Sequence, residues 1–256
     1  MRRIVPNGLK RRILQRARRR LYVVERYRYV FVVTYGRSGS TLLRNILNTI
    51  PGYRVSGENY NALYRLYQAD AAITGAHRKF AGRSRHRQPQ SPWYGIQRAR
   101  PQQFRQEIVN SFVTNVLRPA PGDRVLGFKE IRYTTRNMPD LPAFLAFLRE
   151  SFPGCKIIFN HRDVSAVARS SWWVTHKDSY ERLAASDARM LEIPADERHY
   201  HFFYDGIDDS LDNIRALFGF LGEELDEKAV REVLGTRHAP APAKFQQASA
   251  SPPART

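Results

Sequence analysis

The chain has little cysteine and no long apolar segment. Cys155 is its one cysteine, and a single thiol forms neither an internal disulfide nor a metal cluster built from several cysteines. Cys155 lies in an apolar run, where a buried and unreactive thiol is expected. No apolar run approaches the roughly twenty residues that cross a bilayer, and the basic first residues lack the apolar core of a signal peptide. These absences favour a cytoplasmic protein.

Acidic residues are scarce in two stretches, which together explain the formal net charge of +18. Residues 1–28 contain eleven Lys and Arg against one acid, Glu25, and residues 77–105 contain eight and no acid. These excesses of ten and eight equal the whole net charge, so the remaining residues balance to zero. The composition therefore indicates a near-neutral domain with two basic appendages.

The length of 256 residues fits one α/β domain with appendages. Residues 1–28 carry apolar side chains four apart and predict a basic helix, which would lie on an anionic membrane or a polyanion, or else form a solvated arm. Residues 29–235 form the predicted domain, with a basic insertion at 74–103 that is either disordered or orders over a bound anionic ligand. Residues 236–256, rich in Pro, Ala, Ser and Gln, predict a flexible tail.

Short β-branched and aromatic runs alternate with amphipathic stretches along this domain. The runs predict strands at residues 30–33, 53–56, 125–131, 156–159 and 199–204. The helices between them include one over 59–72, one over 104–117 and one containing Leu211, for which the candidate N-cap residues are Asp208, Asp209 and Ser210. This alternation predicts an α/β fold, a P-loop-like parallel sheet of about five strands flanked by helices on both faces.

The first strand is followed by residues 36–41, which read Gly-Arg-Ser-Gly-Ser-Thr. Two glycines and three small hydroxyl residues let the backbone curl round an anion, and the free amides of the next helix point into the curl. A Walker A loop has Lys directly after its last glycine, but here Ser40 follows Gly39 and the basic residue is Arg37. Because a nucleoside triphosphatase needs that lysine on its phosphates, an ordinary ATPase or GTPase is disfavoured.

A second pair of residues indicates an anion site at the end of the fourth strand. Arg162 follows this strand, and Ser170 lies eight residues later on the next helix. Both are expected at the same edge of the sheet as residues 36–41, the edge where open α/β sheets bind ligands. Two anion sites on one edge suggest a ligand with phosphate groups at both ends.

Residues 34–43, which read TYGRSGSTLL, resemble the 5′-phosphosulfate loop of sulfotransferases, and Arg162 with Ser170 resembles their 3′-phosphate pair. The resemblance runs discontinuously from about residue 29 to 235. The part that extends as far as Glu58 is most similar to the carbohydrate and tyrosylprotein sulfotransferases. It implies 3′-phosphoadenosine 5′-phosphosulfate as donor, adenosine 3′,5′-bisphosphate as product, and no required metal. The implied acceptor is a hydroxyl, such as that of an anionic glycan or a glycolipid, and not a nucleic acid.

The same resemblance implies two catalytic roles. Glu58 would take the proton of the acceptor hydroxyl, and Arg37 would stabilise charge on the departing oxygen. The donor would be held by Arg37, Ser38, Gly39, Ser40, Thr41, Arg162 and Ser170. The candidate acceptor contacts are charges at a strand end and an aromatic pair that would stack on a sugar: Lys129, Glu130, Arg132, Trp93 and Tyr94.

Plainer alternatives exist for these residues and for the function as a whole. The alternative for Glu58 is an exposed glutamate in a loop. The alternative for Arg37 is a surface ion pair, and for Arg162 with Ser170 a pair on a helix surface. For Trp93 and Tyr94 it is packing within the loop. His161 is a competing base. A P-loop kinase and a non-enzymatic polyanion-binding protein are the rival functions.

Overall fold

The computed structural model describes residues 22–236, apart from the side chains of residues 171 and 172. Most of the predicted basic arm, up to residue 21, and the tail from residue 237 lie outside the described residues. The strands are β1 (Arg28–Val33), β2 (Tyr53–Ser56), β3 (Val125–Glu130), β4 (Lys156–His161) and β5 (His199–Phe203). Neighbouring strands are all parallel, in the order β2-β3-β1-β4-β5.

Helices connect and flank these strands. In the described range the α-helices are α1 (Ser40–Leu47), α2 (Ala62–Phe80), α3 (Pro101–Phe112), α4 (Leu141–Ser151), α5 (Val164–Ala168), α6 (Ser179–Leu191), α7 (Asp212–Leu221) and α8 (Glu227–Gly235). Shorter 3-10 turns occur at Val23–Arg26, Ser84–Arg87, Ile96–Arg98, Ser171–Thr175 and Tyr204–Gly206, and one π-helical turn at Val113–Leu117.

Strand β1 lies at the centre of the sheet and is buried on both faces. Tyr29, Phe31 and Val33 pack in an apolar cluster with residues of α2, α3 and α4. Val30 and Val32 pack in another cluster with residues of α1 and α7. A strand covered on both faces needs an apolar residue at every position, which explains its continuous apolar sequence. The predicted α/β fold, a parallel sheet with helices on both faces, is confirmed.

Helix α2 is longer than the sequence predicts. It continues eight residues beyond the predicted end at residue 72, as far as Phe80. The Trp93 ring stacks on Phe80 with ring centroids 4.0 Å apart, and His86 meets the Phe80 ring edge-on. The basic segment after α2 therefore folds back on the end of this helix through short 3-10 turns.

The first turns of helix α2 pack against α4. Tyr67 donates a hydrogen bond to Asp140, just before α4, and Arg105 joins Asp70 of α2 to Glu150 near the end of α4. Because a helix of 19 residues is about 28 Å long, the basic segment lies far from the residues that connect β2 to α2.

Other predictions from the sequence also differ from the structure. The third helix begins at Pro101, before the predicted residue 104, and ends in a π-helical turn. Strand β4 is two residues longer than predicted because its pairing with β5 continues through His161. The predicted N-cap of α7 is wrong: Leu211 precedes the helix without a side-chain cap, while Asp208 accepts hydrogen bonds from the amide and hydroxyl of Ser210 and closes an earlier turn.

Glu223, after α7, joins the amino ends of the strands and makes stability depend on pH. Arg124 donates to both of its carboxylate oxygens, at 2.7 and 2.5 Å, and Tyr53 donates to one at 3.1 Å. Chiefly through the Arg124 hydrogen bonds, the pKa of Glu223 is held below its usual value. A carboxylate with a lowered folded-state pKa stabilises the protein above the pKa of the unfolded chain, and this is lost as pH falls through the folded-state pKa.

Glu223→Gln is therefore expected to lower the free energy of unfolding by about 2 kcal/mol at pH 7, because it removes charge-assisted hydrogen bonds. The difference from wild type should shrink as pH falls below the ordinary glutamate pKa of about 4.3. Urea unfolding at several pH values measures both effects. The control is Glu181→Gln, at an exposed glutamate of α6. It should change neither the free energy of unfolding at pH 7 nor its dependence on pH. A loss that stays constant with pH would contradict this explanation.

Candidate active site

The loop between β1 and α1 contains two residues with positive φ. Arg37 has φ 70° and Gly39 has φ 80°, and Gly39 is the N-cap of α1 without a side-chain cap. The first amides of α1, at Ser40 and Thr41, therefore lack a cap and have no partner within the helix. Unpaired amides at the positive end of a helix dipole suit an anion.

Buried hydrogen bonds fasten this loop to β4. The hydroxyls of Thr34 and Ser38 are 2.8 Å apart, and Thr34 donates to the backbone oxygen of Asn160 at 2.6 Å. The Asn160 amide nitrogen donates to Ser38 O at 2.9 Å. All three residues are fully buried, so the Ser38 hydroxyl holds the loop in place and is not exposed to a ligand.

Tyr204 covers the loop and also contacts Arg162. A Cβ placed on Gly39 would lie 2.1 Å from Cδ2 of Tyr204, so only glycine allows this approach. The guanidinium carbon of Arg162 lies 4.6 Å from the centroid of the same ring. Tyr204 was not predicted from the sequence. The available clue was its place directly after β5, at the edge of the sheet where ligands bind.

Gly39→Ala is expected to destabilise the protein by about 2–3 kcal/mol, because the added methyl group collides with Tyr204 and a side chain is strained at this φ. When Tyr204 is already replaced by alanine, Gly39→Ala should lower the free energy of unfolding by less, because the collision is gone and only the backbone strain remains. Urea unfolding measures these differences. Gly75→Ala, where an added methyl group meets no atom within 4 Å, should raise stability by up to about 1 kcal/mol. Equal stability of Gly39→Ala and wild type would contradict the contact with Tyr204.

Three predicted donor residues meet at this edge although they come from separate segments. Arg37 Nε donates to Ser170 Oγ at 3.1 Å, and Arg162 Nη1 donates to Arg37 O at 3.0 Å. Arg162 Nε is buried and has no hydrogen-bond partner among the described residues. An oxygen of Asp205 is 4.0 Å from it, beyond hydrogen-bond distance. Arg162, with one unpaired guanidinium nitrogen, and the Ser170 hydroxyl both contact Arg37, and this combination of groups suits an anion such as phosphate.

A buried polar network supports the backbone of Arg162. The Tyr35 hydroxyl contacts both the amide and the carbonyl oxygen of Arg162, and lies 2.9 Å from Asp187 Oδ1. His161 Nδ1 is 2.7 Å from Asp187 Oδ1, and His161 Nε2 is 2.9 Å from His201 Nδ1. Burial raises the pKa of Tyr35 and lowers the pKa of His201. Both ring nitrogens of His161 are engaged, which leaves it poorly placed as a base.

A second charged group surrounds Glu58, just after β2. Lys129 Nζ is 2.6 Å from Glu58 Oε1, and Arg132 Nη1 is 3.1 Å from Glu58 Oε2. Arg132 Nη1 is also 2.8 Å from Glu130 Oε1. Glu58 keeps about a third of its side chain exposed, whereas Glu130 is buried. The predicted residues Glu58, Lys129, Glu130 and Arg132 thus form one cluster, in which Glu58 is the accessible carboxylate.

This cluster adjoins the loop before α1. Tyr35 in the loop pairs with Arg132 in a short antiparallel bridge, and the Tyr133 amide donates to Thr34 O. The Glu58 group and the group of Arg37, Arg162 and Ser170 are therefore neighbours on the same edge of the sheet.

A sequence model of the Sulfotransferase family matches residues 29–227. The chain belongs to this family. No curated protein sequence matches the chain. Among solved structures, the sulfotransferase domain from the Synechococcus PCC 7002 olefin synthase shares the fold, with a TM-score of 0.52, 18% identity, and coverage of 89% of this chain and 90% of that chain. The sulfotransferase STF9 from Mycobacterium avium has a TM-score of 0.39 and 14% identity, with coverage of 82% and 67%.

The remaining predicted residues of this sulfotransferase lie elsewhere. Trp93 stacks on Phe80 at the far end of α2, and Tyr94 is its neighbour in the chain. The structure does not bring this aromatic pair together with Glu58. No group of three or more His, Cys, Asp or Glu side chains within residues 22–236 is arranged to hold a metal ion. In the same part of the chain, no helix is long and apolar enough to cross a membrane.

Proposed function

We propose that this sulfotransferase moves a sulfuryl group from 3′-phosphoadenosine 5′-phosphosulfate to a hydroxyl of a carbohydrate, either a free glycan or a glycolipid. The observation that carries the proposal is the meeting of Arg37, Ser170 and Arg162 beside the uncapped start of α1. A cytoplasmic location, with residues 1–28 on an anionic membrane surface, remains part of the proposal. Residues 1–21 of that segment lie outside the described part of the chain.

The residues present suit the two ends of the donor. The amides of Ser40 and Thr41 would bind the 5′-phosphosulfate end, where the bound donor supplies an activated sulfuryl group and a stable leaving group. Arg162 and Ser170 would bind the 3′-phosphate, which would accept a hydrogen bond from the unpaired Arg162 Nε. Arg37 belongs to the loop and donates to Ser170, so its positive charge is near both ends. Charge and positioning are what such a transfer needs most.

Glu58 is the proposed base. Two cations, Lys129 and Arg132, hold its carboxylate in a fixed position, and its exposed part is open to an incoming hydroxyl. Glu58 would take the proton as the hydroxyl oxygen bonds to sulfur and the bond from sulfur to the leaving oxygen breaks. Glu130 is too buried for this role and instead binds backbone amides of the neighbouring loop.

The test is thermal stabilisation of the purified protein by adenosine 3′,5′-bisphosphate. The bisphosphate should raise the midpoint of unfolding more than ATP with Mg²⁺ at equal concentration, because the ligand that binds the folded state more tightly stabilises it more. Adenosine 5′-monophosphate, which lacks the 3′-phosphate, should have a smaller effect. Greater stabilisation by ATP with Mg²⁺ would favour a P-loop kinase and would contradict the proposal. Stabilisation by heparin alone would favour a polyanion-binding protein.

A further inference from the structure

The connection from β2 to α2 presents an exposed aromatic ring beside Glu58. Tyr60 is 79% exposed, the highest value among the exposed large apolar side chains of the described residues. Tyr60 has φ 59° and Asn61 has φ 58°, so two successive residues lie in the left-handed region. A bulky residue is strained there and persists only where its surroundings hold it.

A buried carboxylate holds both neighbours of Tyr60. The amides of Asn59 and Asn61 donate to Glu130 Oε2, at 3.2 and 3.0 Å. Asn59 Oδ1 also accepts a hydrogen bond from the Ala62 amide at 2.9 Å. The backbone attachment on each side of Tyr60 maintains the strain, while its ring projects into solvent. Burial of an apolar side chain does not explain this conformation.

The ring contacts an arginine that also binds Glu58. The guanidinium carbon of Arg132 lies 4.4 Å from the centroid of the Tyr60 ring, and the same guanidinium contacts Glu58 and Glu130. Such a cation over an aromatic face is attractive. Arg132 thus contacts one side of the Tyr60 ring and also orients the carboxylate of Glu58. The rest of the ring is open to a ligand.

The charges within the Glu58 cluster itself are balanced. The positive charges of Lys129 and Arg132 are both paired with Glu58, and Arg132 also with Glu130. An anionic acceptor would find no unpaired cation among these four residues and would approach a carboxylate. The basic segment that suggested an anionic acceptor lies at the other end of α2.

We propose that Tyr60 is the platform on which the acceptor stacks, and that the acceptor is an uncharged pyranoside. The inference rests on the proposed function. A pyranose has a face of C–H groups, which packs on an aromatic ring, and hydroxyls around its edge, one of which would reach Glu58. Like-charge repulsion from Glu58 disfavours a sugar that carries a carboxylate or sulfate.

The test measures transfer of radioactive sulfate from the labelled donor to three acceptors. In methyl β-D-glucuronide a carboxylate replaces the hydroxymethyl group of methyl β-D-glucopyranoside, and 2-naphthol is an aromatic alcohol. The glucopyranoside should have a kcat/KM at least about tenfold above the other two. Tyr60→Ala should raise its KM about tenfold, the value of a strong aromatic contact, while Tyr60→Trp keeps it low. Tyr180→Ala removes a half-exposed tyrosine of α6 and should leave KM unchanged.

A stability measurement separates a binding role from a structural one. Tyr60→Gly relieves the positive φ, so it should raise the midpoint of thermal unfolding while it raises KM. A structural residue would lose stability on truncation. Preference for the glucuronide or 2-naphthol, an unchanged KM in Tyr60→Ala, or no transfer to the glucopyranoside overturns the platform. Failure of adenosine 3′,5′-bisphosphate to stabilise the wild-type protein overturns the proposed function as well.

Discussion

Glu58→Gln is expected to lower kcat for sulfuryl transfer by about 1000-fold, while stabilisation by adenosine 3′,5′-bisphosphate stays at the wild-type level. The amide has nearly the shape of the carboxylate but does not accept a proton, so the acceptor hydroxyl keeps its proton during attack. The donor residues belong to other segments, which is why donor binding should survive. Initial rates at saturating donor, together with thermal unfolding with and without the bisphosphate, measure the two effects.

The matched control for this substitution is Glu227→Gln. Glu227 is also held by two arginines, Arg215 and Arg231, but it lies on α8 and belongs to no group at the candidate site. Its replacement should leave kcat within about twofold, in line with the small contribution of an exposed ion pair. If Glu58→Gln instead abolished stabilisation by the bisphosphate and left kcat intact, Glu58 would be a donor-site or structural residue and the base would have to be sought elsewhere.

Arg162→Ala is expected to weaken binding of adenosine 3′,5′-bisphosphate by about 100-fold, since it removes charge-assisted hydrogen bonds to the 3′-phosphate. The affinity for adenosine 5′-monophosphate should change little, because that nucleotide has no 3′-phosphate. Arg162→Lys should recover only part of the loss, since an ammonium group lacks the planar set of donors. Titration calorimetry with both nucleotides measures the difference.

Arg198→Ala is the matched control for this effect. Arg198 precedes β5, at the opposite edge of the sheet, and its contact with Glu197 is an exposed pair. Its loss tests whether the reduction of positive charge alone weakens nucleotide binding. Equal weakening by Arg198→Ala, or equal loss of both nucleotides in Arg162→Ala, would show that Arg162 does not recognise the 3′-phosphate.

Much of the fold could be predicted because it depends on the pattern of apolar and polar residues within short segments. The strands appear as short apolar runs, of which residues 53–56 were predicted with their observed bounds, and the helices appear as amphipathic stretches. The loop before α1 was recognisable because its glycines and small hydroxyl residues are contiguous. The N-cap of α7 was predicted wrongly because Asp208 is able to cap a helix or close its own turn, and only the neighbouring backbone decides between them.

The candidate site was harder to predict where it depends on distant residues. Lys129 is 71 residues from Glu58, and their ion pair exists because β2 and β3 are neighbours in the sheet. Tyr204 meets Gly39 only because the ends of β5 and β1 share an edge, and Trp93 is carried away from that edge by the unpredicted length of α2.

The sequence by itself determined the class of fold and the loop before α1, and it predicted Arg162 and Ser170 at the same edge of the sheet, because each of these depends on residues close together in the chain. Only the tertiary structure decided which side chains share the site. It brought Arg132 against both Glu58 and Tyr60, and left Trp93 packed on Phe80. The physical reason is that strand order, helix length and long-range hydrogen bonds set these distances, and none of them is encoded in the periodicity of a single segment.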